Sequence, residues 1–164
     1  MNLNGQDTRQ LTTTCIGGLE HKGKIWMGGD SAGVRLSLVA IRKREDSKVF
    51  RVGEFLFGFT GSFRMGQILR FSLTPPKLSE GQDEYEYLCT GFINEVRGCL
   101  KRHGGASVKD SEEFTNGAFL LGFRGKLYKV ETDFQVGRVF SGYDACGCGE
   151  EYALGALKVM IDDG

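Results

Sequence analysis

Thr12-Thr13-Thr14-Cys15-Ile16-Gly17-Gly18-Leu19 runs through Glu20-His21-Lys22-Gly23-Lys24 into Ile25-Trp26-Met27-Gly28-Gly29-Asp30. Both outer runs are rich in β-branched and apolar residues, which favour strands. Lys22-Gly23 lies midway and fits a tight hairpin turn, because glycine accepts positive φ without steric cost. The chain therefore opens with two antiparallel strands, one led by threonines and the other ending in Gly-Gly-Asp. Antiparallel pairing about the turn brings Asp30 opposite the threonines. A hydroxyl facing a carboxylate is either a surface hydrogen bond or part of a nucleophilic site.

Around this hairpin the composition sets limits. A length of 164 residues suits one domain with its own core. Twenty-one Lys and Arg balance 21 Asp and Glu, which gives no support to a nucleic-acid or membrane-surface protein. No run of apolar residues is long enough for a transmembrane helix. Residues 1–11 are polar and read as a leader or propeptide-like segment, not a secretory signal; residues 12–164 form the domain. The five cysteines, an odd number scattered through apolar runs, point to reduced thiols and a cytoplasmic setting. Cys146-x-Cys148 has no matching histidines for a zinc site, so no metal or other cofactor is expected.

Along the chain, Val34 to Ile41 reads as a strand. Lys48 to Val52 and Phe55 to Thr60 read as a hairpin about Gly53-Glu54. Ser62 is a helix cap, and Thr74-Pro75-Pro76 stops the helix that follows. Asp83 to Arg102 is the clearest helix, with Tyr85, Leu88, Cys89, Phe92, Val96, Cys99 and Leu100 as its apolar stripe. Residues 106–115 read as a polar loop. Gly117 to Phe123 and Lys126 to Glu131 form a hairpin across Arg124-Gly125, and Val136 to Phe140 another strand. Gly142 to Gly149 reads as a glycine-rich lead into a helix from Glu150 to Ile161, with Ala153, Ala156, Leu157 and Met160 facing inward. Strands and helices in separate groups argue for an α+β layered fold.

Thr-Thr-Thr followed by Gly-Gly-Asp-Ser resembles the opening of proteasome β-subunits and of HslV, which are N-terminal-nucleophile hydrolases. Lys48-Val49-Phe50, Gly58-Phe59-Thr60-Gly61, Gly117-Ala118-Phe119-Leu120-Leu121-Gly122 and Gly147-Cys148-Gly149-Glu150-Glu151-Tyr152-Ala153-Leu154-Gly155 keep the family's order. The resemblance implies an αββα sandwich, two stacked antiparallel sheets flanked by helices. It also implies that the family's C-terminal part, with a further helix, strands and a supporting aspartate, is missing here.

In that family a threonine hydroxyl attacks and its own α-amino group is the base. Such an amine titrates near ~8, whereas a hydroxyl is a weak nucleophile at its own pKa. The family's aspartate lies sixteen residues after the nucleophile, so Asp30 points back to Thr14, with Thr13 or Thr12 if a bulge intervenes. By the same resemblance Asp30 orients the site, Lys48 favours the developing anion, and Gly61 supplies an oxyanion N–H. Phe59 and Phe63 line the specificity pocket. Cys148 stands where the family usually has serine.

The expected function is a threonine-type peptidase subunit acting on peptides or unfolded protein. It is expected in a homo-oligomeric ring, with an ATP-dependent unfoldase as a possible partner. The alternatives are a catalytically weak or inactive protein that keeps the fold for assembly or binding, and an amide hydrolase acting on a small molecule. A nucleophile at Thr12 to Thr14 requires removal of the leader, by autocleavage or, for Thr12, by a translation start at Leu11 whose initiator is trimmed.

Overall fold

Strands β1 (Cys15–His21) and β2 (Lys24–Gly29) form the opening hairpin, in register from Ile16↔Gly29 to His21↔Lys24. Lys22 and Gly23 both adopt positive φ (50° and 70°), the two-residue turn whose twist matches that of the flanking strands. The computed structural model of the chain describes residues 14–35, 40–43, 45–109 and 112–162; the leader, residues 1–11, lies outside them.

The expected single strand from Val34 to Ile41 is instead two, β3 (Ala32–Arg35) and β4 (Ala40–Lys43), paired antiparallel with Val34 opposite Ile41. The run holds no Gly, Pro, Asn or Asp, and Ser37 alone is a weak turn former among β-branched and apolar residues, so the sequence reads as one strand. β5 (Val49–Val52) and β6 (Phe55–Phe59) form the expected hairpin. Residues 106–115, read as a loop, form another, β7 (Ala106–Lys109) with β8 (Glu112–Thr115). Each strand is only four residues long, β7 is exposed beyond Ala106 and β8 begins with two glutamates, so little apolar patterning marks the pair.

β9 (Phe119–Phe123), β10 (Lys126–Val130) and β11 (Val136–Arg138) complete a five-stranded antiparallel sheet in the order β11-β10-β9-β6-β5. The stretch expected as a glycine-rich loop contains β12 (Tyr143–Gly147), which pairs with β1 from Cys15↔Gly147 to Leu19↔Tyr143. Only this distant partner makes it a strand. The second sheet is therefore β12-β1-β2.

β1 shows how the layers stack. Ile16 and Gly18 face the larger sheet, where Leu120 and Leu127 lie against Gly18 and join Ile16 and Cys146 in a buried cluster. Gly17 faces the other way, onto Leu157 of helix α4 (Glu150–Asp162). On the far side of the larger sheet lie α1 (Phe63–Phe71), α2 (Glu84–Tyr87) and α3 (Ile93–Arg102). Stacked rings of Phe55, Phe92 and Phe123, with centroids 4.4–4.6 Å apart, form the middle of that core. Each such ring, fully buried, contributes about 2–3 kcal/mol. The result is the expected αββα layering.

A π-helical turn, Leu88–Phe92, joins α2 to α3. It inserts one residue and shifts the phase of the stripe. Leu88, Phe92, Val96, Cys99 and Leu100 are buried as expected, and Ile93 joins them. N-terminal to the turn, Tyr87 is buried in place of Tyr85, and within the turn Cys89 is exposed, not packed in the core. α4 departs in another way. Ala153 and Leu157 are half-buried, but Ala156 and Met160, expected to face inward, are exposed with Tyr152 and Val159. No helix among the described residues is long and apolar enough to cross a membrane.

Candidate active site

Thr14 immediately precedes β1 and is buried. Its Oγ1 accepts a hydrogen bond of 2.8 Å from Lys48 Nζ. Lys48 precedes β5 and is only 2% exposed, and its carbonyl accepts from Phe59 N–H, extending the β5–β6 ladder by one residue. A buried ammonium is costly unless paired. Here Asp30 Oδ1 lies 2.8 Å from Nζ, and the Phe63 ring centroid 5.5 Å from it.

Asp30 follows β2. Its own N–H donates to Cys15 O at 3.1 Å, and its Oδ2 accepts from Cys15 N–H. One carboxylate thus holds the lysine and also the backbone next to Thr14. The register of the first hairpin does this, because a one-residue slip would turn Asp30 to the other face.

Two glycines sit in close contacts, one of them against Thr14. Gly147, at the end of β12, has φ +100°, and a Cβ there would fall 2.0 Å from Thr14 O and 3.2 Å from Thr60 Cγ2. Gly61 has φ +77°, and its Cβ would fall 2.2 Å from Asn116 O. The loop at Thr60-Gly61 is held by Thr60 N–H and Oγ1, both donating to Ala118 O, and by Ser62 N–H donating to Asn116 O. Both glycines therefore occupy positions closed to any side chain.

The remaining expected residues fall as follows. Phe59 is buried in the main core, edge-on to Phe63 at 5.7 Å. Both border a small cavity of about 60 Å³ with Phe50, Gly66 and Gln67. Cys148 is exposed just before α4, whereas Cys146 is buried between the sheets, so the two thiols occupy different environments. Thr12 and Thr13 lie outside the described residues. Among the described residues no group of His, Cys, Asp or Glu could hold a metal.

Sequence reasoning missed three contributors. Cys15 offers its backbone N–H to Asp30, and its Sγ lies 3.4 Å from Gly149 O. Partial burial, then the negative charges of Asp30 and Glu150, push this thiol above its ordinary pKa. Glu150 is in turn held by Lys129 of β10 at 2.9 Å, which ties the first turn of α4 to the larger sheet. Asn116-Gly117 locks onto Thr60-Gly61: a Cβ on Gly117 would fall 2.0 Å from Thr60 O. The pairing of Thr-Gly with Asn-Gly was the one signal that pointed to such interlocked turns.

No protein-family model and no curated relative matches the sequence. Solved structures do. The BPH protein of Thiobacillus denitrificans, also solved in complex with epoxomicin, matches with a TM-score of 0.71 and 22% identity, over 88% of this chain and 77% of that one. HslV of Trypanosoma brucei matches with a TM-score of 0.57 and 17% identity, over 90% and 79%. Anbu, the ancestral β-subunit, of Yersinia bercovieri matches with 0.51 and 16%, over 84% and 61%. Three independently named proteins of one structural kind thus share this layering, and the chain has the fold of the proteasome-type N-terminal-nucleophile hydrolases.

Proposed function

We propose that this chain is a threonine-type peptidase subunit with Thr14 as its nucleophile. The supporting observation is the buried Lys48 Nζ, 2.8 Å from both Thr14 Oγ1 and Asp30 Oδ1. A fixed positive charge beside a hydroxyl stabilises the alkoxide that develops when its proton leaves. The same hydroxyl at Thr12 or Thr13 would stand one or two residues out of this register.

Removal of the residues before Thr14 frees its α-amino group, which titrates near ~8 and takes the Oγ1 proton. Oγ1 then attacks the peptide carbonyl carbon. The resulting oxyanion is bound by the Gly61 N–H. As the tetrahedral centre collapses, the ammonium returns its proton to the leaving amine and an ester to Thr14 remains. Water, deprotonated by the same amine, hydrolyses that ester. Lys48, held by Asp30, keeps the hydroxyl placed and an ammonium beside it throughout, and Cys148 takes the position beside the nucleophile. Phe59 and Phe63 border the specificity pocket. No cofactor enters this sequence of steps.

The substrate is a peptide or an unfolded protein. Assembly into a homo-oligomeric ring in the cytoplasm, served by an ATP-dependent unfoldase, goes with this reading. The exposed apolar stripe of Tyr152, Val159 and Met160 on α4 supports assembly, because a helix apolar on both faces is normally covered.

The test is covalent labelling with epoxomicin, whose epoxyketone requires a neighbouring hydroxyl and amine. The reading expects one adduct, on the peptide that begins with Thr14, and none in Thr14→Ala. An adduct elsewhere, or none on protein lacking residues 1–13, would overturn it in favour of a non-catalytic assembly or binding role.

A further inference from the structure

β2 is an edge strand, and nothing among the described residues pairs with its outer side. The direction of its free groups follows from the register. Asp30 N–H donates to Cys15 O, so residues 15 and 30 are a hydrogen-bonded pair. Alternation then turns the N–H and C=O of Lys24, Trp26 and Gly28 towards β1, and those of Ile25 and Met27 outward. An open edge of this kind is a template for another strand.

The side chains tell the same story. Three strands stack on five, so at about 4.8 Å per strand the larger sheet projects beyond the smaller. Ile25 and Met27 face that larger sheet but are only half-buried, and Leu56 beneath them is half-buried as well. On the outer face of β2, Trp26 is 61% exposed. Between the edge of β2 and the projecting ledge runs a groove of about 630 Å³, floored by Leu56 and Arg51. Its charged residues are Lys24, Arg51 and Arg124 against Glu54, an excess of positive charge in a chain with none overall.

We infer that this groove takes an extended strand of another protein, one that alternates apolar and polar residues and carries, within its apolar face, one acidic residue opposite Arg51. The strand adds to the edge of β2 through the N–H and C=O of Ile25 and Met27, and its apolar residues cover Leu56. A second copy of this chain fits less well, because each groove brings the same excess of positive charge to the contact. The inference does not depend on the proposed peptidase activity.

Amide hydrogen exchange on the full chain tests it, with an acetylated, fluorescein-labelled peptide Thr-Val-Thr-Asp-Thr-Val-Thr-Val-Thr as the probe, whose Asp shares the valine face. Ile25 and Met27 amides should exchange rapidly in the free protein and slow at least about tenfold with the peptide bound. The same peptide with Lys in place of Asp should bind at least about tenfold more weakly, and Arg51→Glu should reverse that preference. Arg51 is exposed, so this variant folds. Three results would overturn the inference: Ile25 and Met27 amides unaffected by the peptide, equal binding of a peptide whose valine nitrogens are methylated, or amides already protected in the free chain. Protection that vanishes on dilution would assign the edge to a second copy instead.

Discussion

Lys48 Nζ lies 2.8 Å from Thr14 Oγ1 and 2.8 Å from Asp30 Oδ1, so one buried cation joins the end of each half of the first hairpin. Removing that charge while keeping its bulk is the most direct change. Lys48→Met is expected to lower the rate of peptide cleavage by at least about a hundredfold, the usual loss when a preorganised charge is deleted. Lys48→Arg is expected to recover little, since a planar guanidinium cannot take the place of a compact ammonium. Both are read as kcat on a fluorogenic peptide.

Asp30 bears on stability as well as chemistry. Asp30→Ala leaves Lys48 buried without its counter-charge, which costs about 3–5 kcal/mol for a fully buried pair. Asp30 is a third exposed, at 33%, so the expected loss lies at the lower end. Urea unfolding measures it, and a loss below about 1 kcal/mol, the range of surface pairs, would show that the pair is solvated.

Gly61→Ala should destabilise by about 2 kcal/mol or more, because a strained φ is added to a contact with the Asn116 carbonyl. Gly53→Ala is the comparison. Its φ is also positive, +56°, but nothing lies within 4 Å of the added Cβ, so only the conformational cost of about 1 kcal/mol remains. Equal losses in the two variants would show that the interlock at Asn116 yields freely.

The thiols should divide by environment. Cys89 and Cys148 are exposed and should react quickly with Ellman's reagent at pH 8. Cys99 and Cys146 are buried, with burial pushing Cys146 up to about 12, and should remain silent until the protein unfolds. Rapid reaction of Cys146 would contradict the packing between the sheets.

Asp144 predicts a pH dependence. Burial raises its carboxyl pKa, against the opposing effects of the Ala145 N–H and Lys129. A carboxyl raised on folding binds more protons folded than unfolded, so its contribution falls as pH rises through the folded pKa. Asp144→Asn is therefore expected to match or exceed the parent in stability at pH 7, and the difference should shrink below about pH 4, where both states are protonated. Chemical unfolding at the two pH values checks this.

Much of this was legible from local signals. The Lys22-Gly23 and Arg124-Gly125 turns, the Ser62 cap and the spacing from Thr14 to Asp30 each rest on residues close in sequence, and each lies where the sequence indicated. What escaped depends on distant partners or on phase. β12 is a strand only because β1 lies beside it, and the four-residue strands β7 and β8 are too short to announce themselves. The π turn moved Cys89 to the surface by one residue of phase, which no periodicity read from one end can foresee. At the site, the side chains of Asp30 and Lys48 were legible. The backbone roles of Cys15 and Gly147 were not: no residue type marks the Cys15 N–H that serves Asp30 across the hairpin, and Gly147 is placed by where β12 ends.

Whether Thr14 is the nucleophile is read from the intact mass of the purified protein, with N-terminal sequencing. A mature chain that begins at Thr14 is expected, with slower maturation of the Lys48→Met variant. A mature chain beginning at Thr12 or Thr13, or an active protein that retains residues 1–13, would contradict that role.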